Sequence, residues 1–243
     1  MRTWLAVATL AILSTLCQAS AATAGIGPYV RLGFGPDQLR MAEINAGIMS
    51  DQDALRAGGY PANFQKIRIA AGPEAAVGLW LLPGFRVGAV YGAERSTRDN
   101  LLNVPGQLFF DHRFEFRVTE IGGEAAIRIV RLAGLSIGGQ VVRSRATGSE
   151  ALSVDQPGSL FHYDATAERT LTTYGAFIGL DQTNEIGIAG YVRAGYRFRD
   201  MGHMPSRGTV SDGTNTTSFT GSSIDVDYSG FYVMAGAGFD LRH

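Results

Sequence analysis

Residues 228–241 alternate with a period of two: Phe231, Val233, Ala235, Ala237, Phe239 and Leu241 fall on one face, and Tyr232, Met234, Gly236, Gly238 and Asp240 on the other. Such a period belongs to a β-strand. A soluble sheet points its apolar row at a core, whereas a membrane barrel points it at lipid and keeps small and polar residues for the lumen. The same alternation recurs upstream, so the chain is expected to close into a transmembrane barrel whose last strand meets its first. A lipocalin-like soluble barrel is the competing fold. It lines its inside with apolar residues, where these strands place arginine and glutamate instead.

The N-terminus reads as a secretory leader. Arg2, the apolar run 4–16 and the small residues Ala19-Ser20-Ala21 and Ala22-Thr23-Ala24 follow the n, h, c order of a signal peptide. Residues 1–21 are therefore expected as signal peptide, with cleavage after Ala21 or after Ala24, and residues 25–243 as the barrel domain. The apolar run is about a dozen residues, short of the roughly 20 a membrane helix needs. Cys17, the only cysteine, falls inside this leader and follows Leu16, not the small residue of a lipoprotein signal. The processed chain then has no disulfide, no thiol nucleophile and no cysteine-based metal site. A composition 45% hydrophobic and 18% charged argues against disorder, and a net charge of -1 gives no reason to expect nucleic acid.

Taken in order, 29–35 sets Val30, Leu32 and Phe34 against Tyr29, Arg31, Gly33 and Gly35. Residues 37–66 read as a long loop with a short helix over 38–48 and turn chemistry at Gly58-Gly59-Tyr60-Pro61. In that loop Leu39, Met41, Ile44 and Ile48 form either a partner-binding helix face or a patch that packs the loop on the barrel rim. A strand over 67–81 follows, in which Pro73 cannot donate to the ladder and predicts a bulge or a late start. The turn Leu82-Pro83-Gly84 leads to a strand over 85–94, and 95–113 is a second long connection. Between 114 and 129 the apolar residues move from even positions (Phe114, Phe116, Val118) to odd ones (Ile121, Ala125, Ile127, Ile129), which predicts a bulge at 119–123. A short turn at 131–134, a strand from Leu135, a third long loop over 146–169 and a strand over 173–180 come next. After a turn at 181–185, strand seven covers 188–199, and a fourth long loop spans 201–225. Long and short links alternate around eight strands, so both termini lie at one end, with short turns facing the periplasm and long loops the exterior.

The lumen-facing charges are Arg31, Arg68, Arg86, Arg128, Arg193 and Arg197, with Glu74, Glu94, Glu120, Glu124 and Asp240. An eight-stranded barrel is just wide enough for side chains to fill, so these charges are expected to pair into a plug. Arg193 and Arg197 point the same way and call for Glu120, Glu124 or Glu74 as partners. The competing reading makes them the selectivity ring of a small channel. His112, His162, His203 and His243 fall in predicted loops or at the terminus, without metal-site spacing, so neither metal nor cofactor is expected. For catalysis the candidates are His112 beside Asp111, and His162 beside Ser159 and Asp164; surface histidines are the plainer reading.

With its leader, eight alternating strands and glycine-rich segments such as Gly27-Pro28-Tyr29-Val30-Arg31-Leu32-Gly33 and 230–241, the chain resembles small outer-membrane barrels of the OmpA transmembrane-domain and opacity-protein type. Members commonly end on a phenylalanine used in assembly; here Phe239 is followed by Asp240-Leu241-Arg242-His243. The resemblance implies an all-β, eight-stranded antiparallel up-and-down barrel in the outer membrane. Its expected partners are membrane lipid, the barrel-assembly machinery and an unidentified external ligand, and the chain is expected to be a monomer. A structural or adhesive surface role without catalysis follows, carried by the four loops. The alternatives are a small porin-like channel and an outer-leaflet lipid A-modifying enzyme.

Overall fold

The computed structural model describes residues 27–82, 84–130 and 134–240. The leader, Pro83, residues 131–133 and the tail after Asp240 lie outside the described residues. The elements run β1 (Gly27–Gln38), α1 (Ala42–Ala57), β2 (Ile69–Leu82), β3 (Phe85–Val104), β4 (Leu108–Val130), β5 (Leu135–Gln156), β6 (Ser159–Thr183), β7 (Ile188–Phe198), β8 (Asp200–Ser211), β9 (Thr216–Asp227) and β10 (Gly230–Asp240).

Eight of these strands close a ring in which every pairing is antiparallel: β1 to β7 pair in sequence, and β10 joins β7 to β1. The closing seam pairs Tyr29 with Asp240 and Asp37 with Tyr232. On the proximal half of the ring, where β1 begins and β10 ends, the outward face is apolar. Leu32 is 64% exposed and Phe231 65%, while Arg31 between the strands is 0% exposed. A water-soluble protein does not carry such a continuous apolar band, and a bilayer requires one. Tyr196, Phe198 and Phe231 cluster at its distal edge, with ring centroids 4.7 and 4.9 Å apart, where membrane barrels place aromatic girdles.

The long connections are not loops. β3 and β4 continue as one hairpin to the turn at 105–107, β5 and β6 continue to a turn at 157–158, and β8 with β9 forms an extra hairpin that pairs with the distal part of β6. The sheet therefore has ten strands, eight in the ring and two beside it. The bulge expected at 119–123 is absent: β4 keeps one register with β5 from Phe109 to Arg128. Even-numbered side chains point inward throughout, and it is the environment that reverses. Above the band the inside is apolar (Phe114, Phe116, Val118) and the outside polar; within the band the inside is charged (Glu120, Glu124) and the outside apolar. The bulge or late start expected at Pro73 is likewise absent, since Pro73 pairs with Phe34 in a β1–β2 register that does not slip. The irregularity of β2 lies in its other ladder, with β3, between Trp80 and Leu82.

Between β1 and β2 the helix is longer than expected and starts later. Ile44, Ile48 and Gln52 of α1 recur every four residues and are buried, so they share one face. Glu43 in its first turn and Arg56 in its last complement the helix dipole. Gly58 ends it, and Gly59 at φ 85° makes the left-handed turn that follows. The return segment to β2 forms no ladder and is held by side-chain amides instead. Asn45 accepts from Ile67 N at 2.7 Å and donates to Ile67 O at 2.8 Å, Gln52 accepts from Phe64 N at 2.8 Å, and Asn100 accepts from Gln65 N at 2.9 Å. Leu39, Met41, Ile44 and Ile48 thus pack inward, with Phe64, Phe110, Phe114, Phe116, Met201, Met204 and Tyr228, in a distal core.

Candidate functional site

The strand alternation that turns apolar side chains to lipid turns the polar ones into the proximal lumen, where they form one linked chain of charges. At the short-turn end Arg31 meets Asp181 at 2.5 Å and Asp240 at 3.8 Å. Arg86 takes the other oxygen of Asp181 at 2.6 Å and lies 3.7 Å from Glu124. Glu124 passes the chain to Arg193 at 3.1 Å and accepts from the Tyr29 hydroxyl at 3.0 Å. Glu74 then bridges Arg193 and Arg197, each at 2.7 Å. At the distal end Arg197 and Arg199 share Asp37 and Glu94, with Glu120 at 4.0 and 3.7 Å.

Buried charges are stable only when paired and hydrogen-bonded, and here each bridging carboxylate has more than one arginine. Aromatic rings fill what the ion pairs leave. Arg193 lies 4.4 Å from the Phe177 ring centroid and Arg197 4.1 Å from that of Tyr232, close enough for cation–π attraction. Gly33 and Gly88 face the hydroxyls of Tyr191 and Tyr29, so a methyl group at either would occupy the phenol's place. The arrangement is a filled barrel held by charge.

Of the eleven expected lumen residues, Arg31, Glu74, Arg86, Glu94, Glu120, Glu124, Arg193, Arg197 and Asp240 are buried. Arg68 is not among them. It is exposed and precedes β2, because its neighbour Ile67 is drawn into the distal core and reverses the facing expected there. Arg128 is half-buried at the short-turn end, 4.9 Å from the Trp80 ring centroid. Asp37 and Asp181, which continue the inward parity of their strands past the expected ends, and Arg199, on the polar face of strand seven, also belong to the buried set though the expected lumen charges did not include them.

The histidines are placed otherwise than expected. His112, His162 and His203 lie within strands, and His243 is outside the described residues. His112 is 4% exposed, in an aromatic column with Phe110, Phe114 and Phe116 on the inner face of β4. Its Nδ1 is 3.0 Å from Asp51 on α1 and its Nε2 2.7 Å from Glu150 on β5. Burial pulls its pKa down, but the hydrogen bonds and charges of the two carboxylates outweigh it and raise the value to about 8. The protonated ring thereby ties the helix to the sheet beside a cleft of about 450 Å³ lined by Glu43, Asp51, Glu150, Phe161 and Tyr163. Asp111 lies on the opposite face of the strand. His162 is exposed and meets Ser153 at 2.9 Å, not Ser159. Among the described residues no group of three or more metal-ligating side chains is gathered.

No protein-family model matches the chain, and no curated protein sequence matches it. Solved structures similar to it include CarO of Acinetobacter baumannii, 9% identical over 86% of this chain and 97% of that one, with a TM-score of 0.43. Another is Neisserial surface protein A, 13% identical over 90% and 99%, also at 0.43. A third is the outer membrane protease OmpT of Escherichia coli, 12% identical over 92% and 100%, again at 0.43. At such scores the likeness carries no argument of its own, and the barrel rests on its strand pairings and on its reversed polarity. A closed antiparallel barrel with an apolar outside and a polar lumen is how proteins cross outer membranes, and this chain is an outer-membrane β-barrel.

Proposed function

We propose that the protein is a non-conducting, non-catalytic anchor that presents a folded head at the cell surface, the head carrying a structural or adhesive role. The observation behind this reading is the contrast between a lumen filled by ion pairs and a distal half built as a packed module with its own apolar core. Surface recognition concentrates on elements displayed by a rigid scaffold. His112 fits the reading as a tie, since both ring nitrogens are taken by carboxylates. In planar bilayers the full protein is expected to show no steady conductance, and cells displaying it are expected to gain binding to host or neighbouring-cell surfaces that is lost when the β8–β9 hairpin is removed. A stable, ion-selective current makes it a channel instead, and a changed lipid A acyl pattern abolished by His112→Ala or His162→Ala makes it an enzyme.

A further inference from the structure

Immediately distal to the lipid-facing band, the outward face of β3 to β5 carries arginines. On β5 the exposed Val141 is followed, two and four residues on, by Arg143 and Arg145. Arg143 pairs with Ile121, the last lipid-facing isoleucine of β4, and Arg145 with Thr119. One step further out, Arg117 of β4 pairs with Arg95 of β3. Like charges placed opposite each other repel, and Glu115 relieves them by reaching Arg95 at 3.0 Å and Arg117 at 2.5 Å. Arg145 is held by Glu168 at 2.6 Å, and Arg143 has no ion pair among the described residues. Positive charge is therefore in excess over the three successive outward levels that follow the lipid-facing band, where headgroups lie. Two residues along a strand span roughly 7 Å, so the row starts where hydrocarbon ends.

Over this row lies an outward recess of about 750 Å³, lined by Glu115, Arg117, Thr147, Glu168, Arg207 and Thr220 among others. Arginines suit phosphate, and hydroxyls with carboxylates suit the hydroxyls of a sugar. We propose that this face binds the phosphorylated glycolipid of the outer leaflet, its phosphates on Arg117, Arg143 and Arg145 and its sugar in the recess. The inference rests on the outer-membrane reading above, because only that setting brings glycolipid to this height.

The test uses the full protein extracted from outer membranes in mild detergent, with lipid A and its dephosphorylated form as probes and native mass spectrometry as the readout. Wild type is expected to retain lipid A and to discriminate against the dephosphorylated form. An arginine near an anionic lipid surface contributes about a five-fold change in binding, so Arg117→Gln, Arg143→Gln and Arg145→Gln together are expected to weaken retention by roughly 100-fold. Arg113→Gln, further from the band, is expected to leave it unchanged. Equal retention by wild type and the triple variant, or equal retention of the two probes, overturns the inference if the protein still fractionates with the outer membrane and keeps heat-modifiable gel mobility. Loss of those two properties from the wild type overturns the membrane reading itself.

Discussion

The proximal and distal halves of this molecule are made from the same strands and have opposite insides. On β4 a single run of inward side chains passes from Phe114 and Phe116 to Glu120 and Glu124 without a change of register. In water the apolar side chains gain by turning inward, and in lipid they gain by turning outward. Each half is thus stabilised by what its solvent rejects. The crossover falls near Thr119, where the polar outward face gives way to Ile121. A strand's facing is fixed by its pleat, but which face is apolar depends on where the surrounding solvent changes.

The sharpest way to break that contrast is to remove a charge from the proximal inside. Glu124→Ala leaves Arg86 and Arg193 each short of a partner and is expected to destabilise the barrel by about 3–5 kcal/mol, measured by urea unfolding in lipid vesicles. A variant that unfolds like wild type shows that the lumen is wet and the charges solvated. Next in size, Ile127→Lys places a charge on the lipid face and is expected to cost about 2–4 kcal/mol in the same assay. Its distal counterpart, Phe109→Lys, changes an outward residue 38% exposed on the other side of the boundary. There the change is expected to stay within about 0.5 kcal/mol. Similar costs for the two lysines put the boundary elsewhere.

A subtler effect concerns the tie between α1 and the sheet. The His112 pKa of about 8 lies above its ordinary 6.5, so its stabilisation is complete below pH 6.5 and is lost as pH rises through 8. Asp51 and Glu150 face the ring, and Glu43 and Tyr163 line the same cleft. The expected readout is faster tryptic cleavage at Arg56 at pH 9 than at pH 6.5, relative to a fixed cleavage site elsewhere on the surface. His112→Gln is expected to remove that difference; its persistence places the pH response in another group.

The proximal half was legible in the sequence because lipid on one side and charge on the other leave a strong period of two. Every outward residue named for the last strand from Phe231 to Phe239 faces out, and Arg193 and Arg197 do find Glu74 and Glu124 between them. The distal half was not legible, because its strands carry threonine, serine and arginine on one side and its apolar positions follow the opposite parity. A period of two that reverses polarity midway reads as a slip or a loop. Asp37 and Asp181 were lost for a related reason. Each sits where the apolar partner row has ended, so only the continued parity with Gly35 or with Gly179 marks it as inward.

Because β4 runs unbroken for 23 residues, roughly 75 Å of path, from its distal tip to its proximal end, the distal half has no hinge where it leaves the lipid-facing band. The neighbouring β5 and β6 do the same, and the β8–β9 hairpin is stitched to β6. A pull applied at the tip is therefore borne along hydrogen-bonded ladders in shear and delivered to the barrel wall. The distal half behaves as a stiff cantilever, holding its surface at a set height and azimuth relative to the barrel.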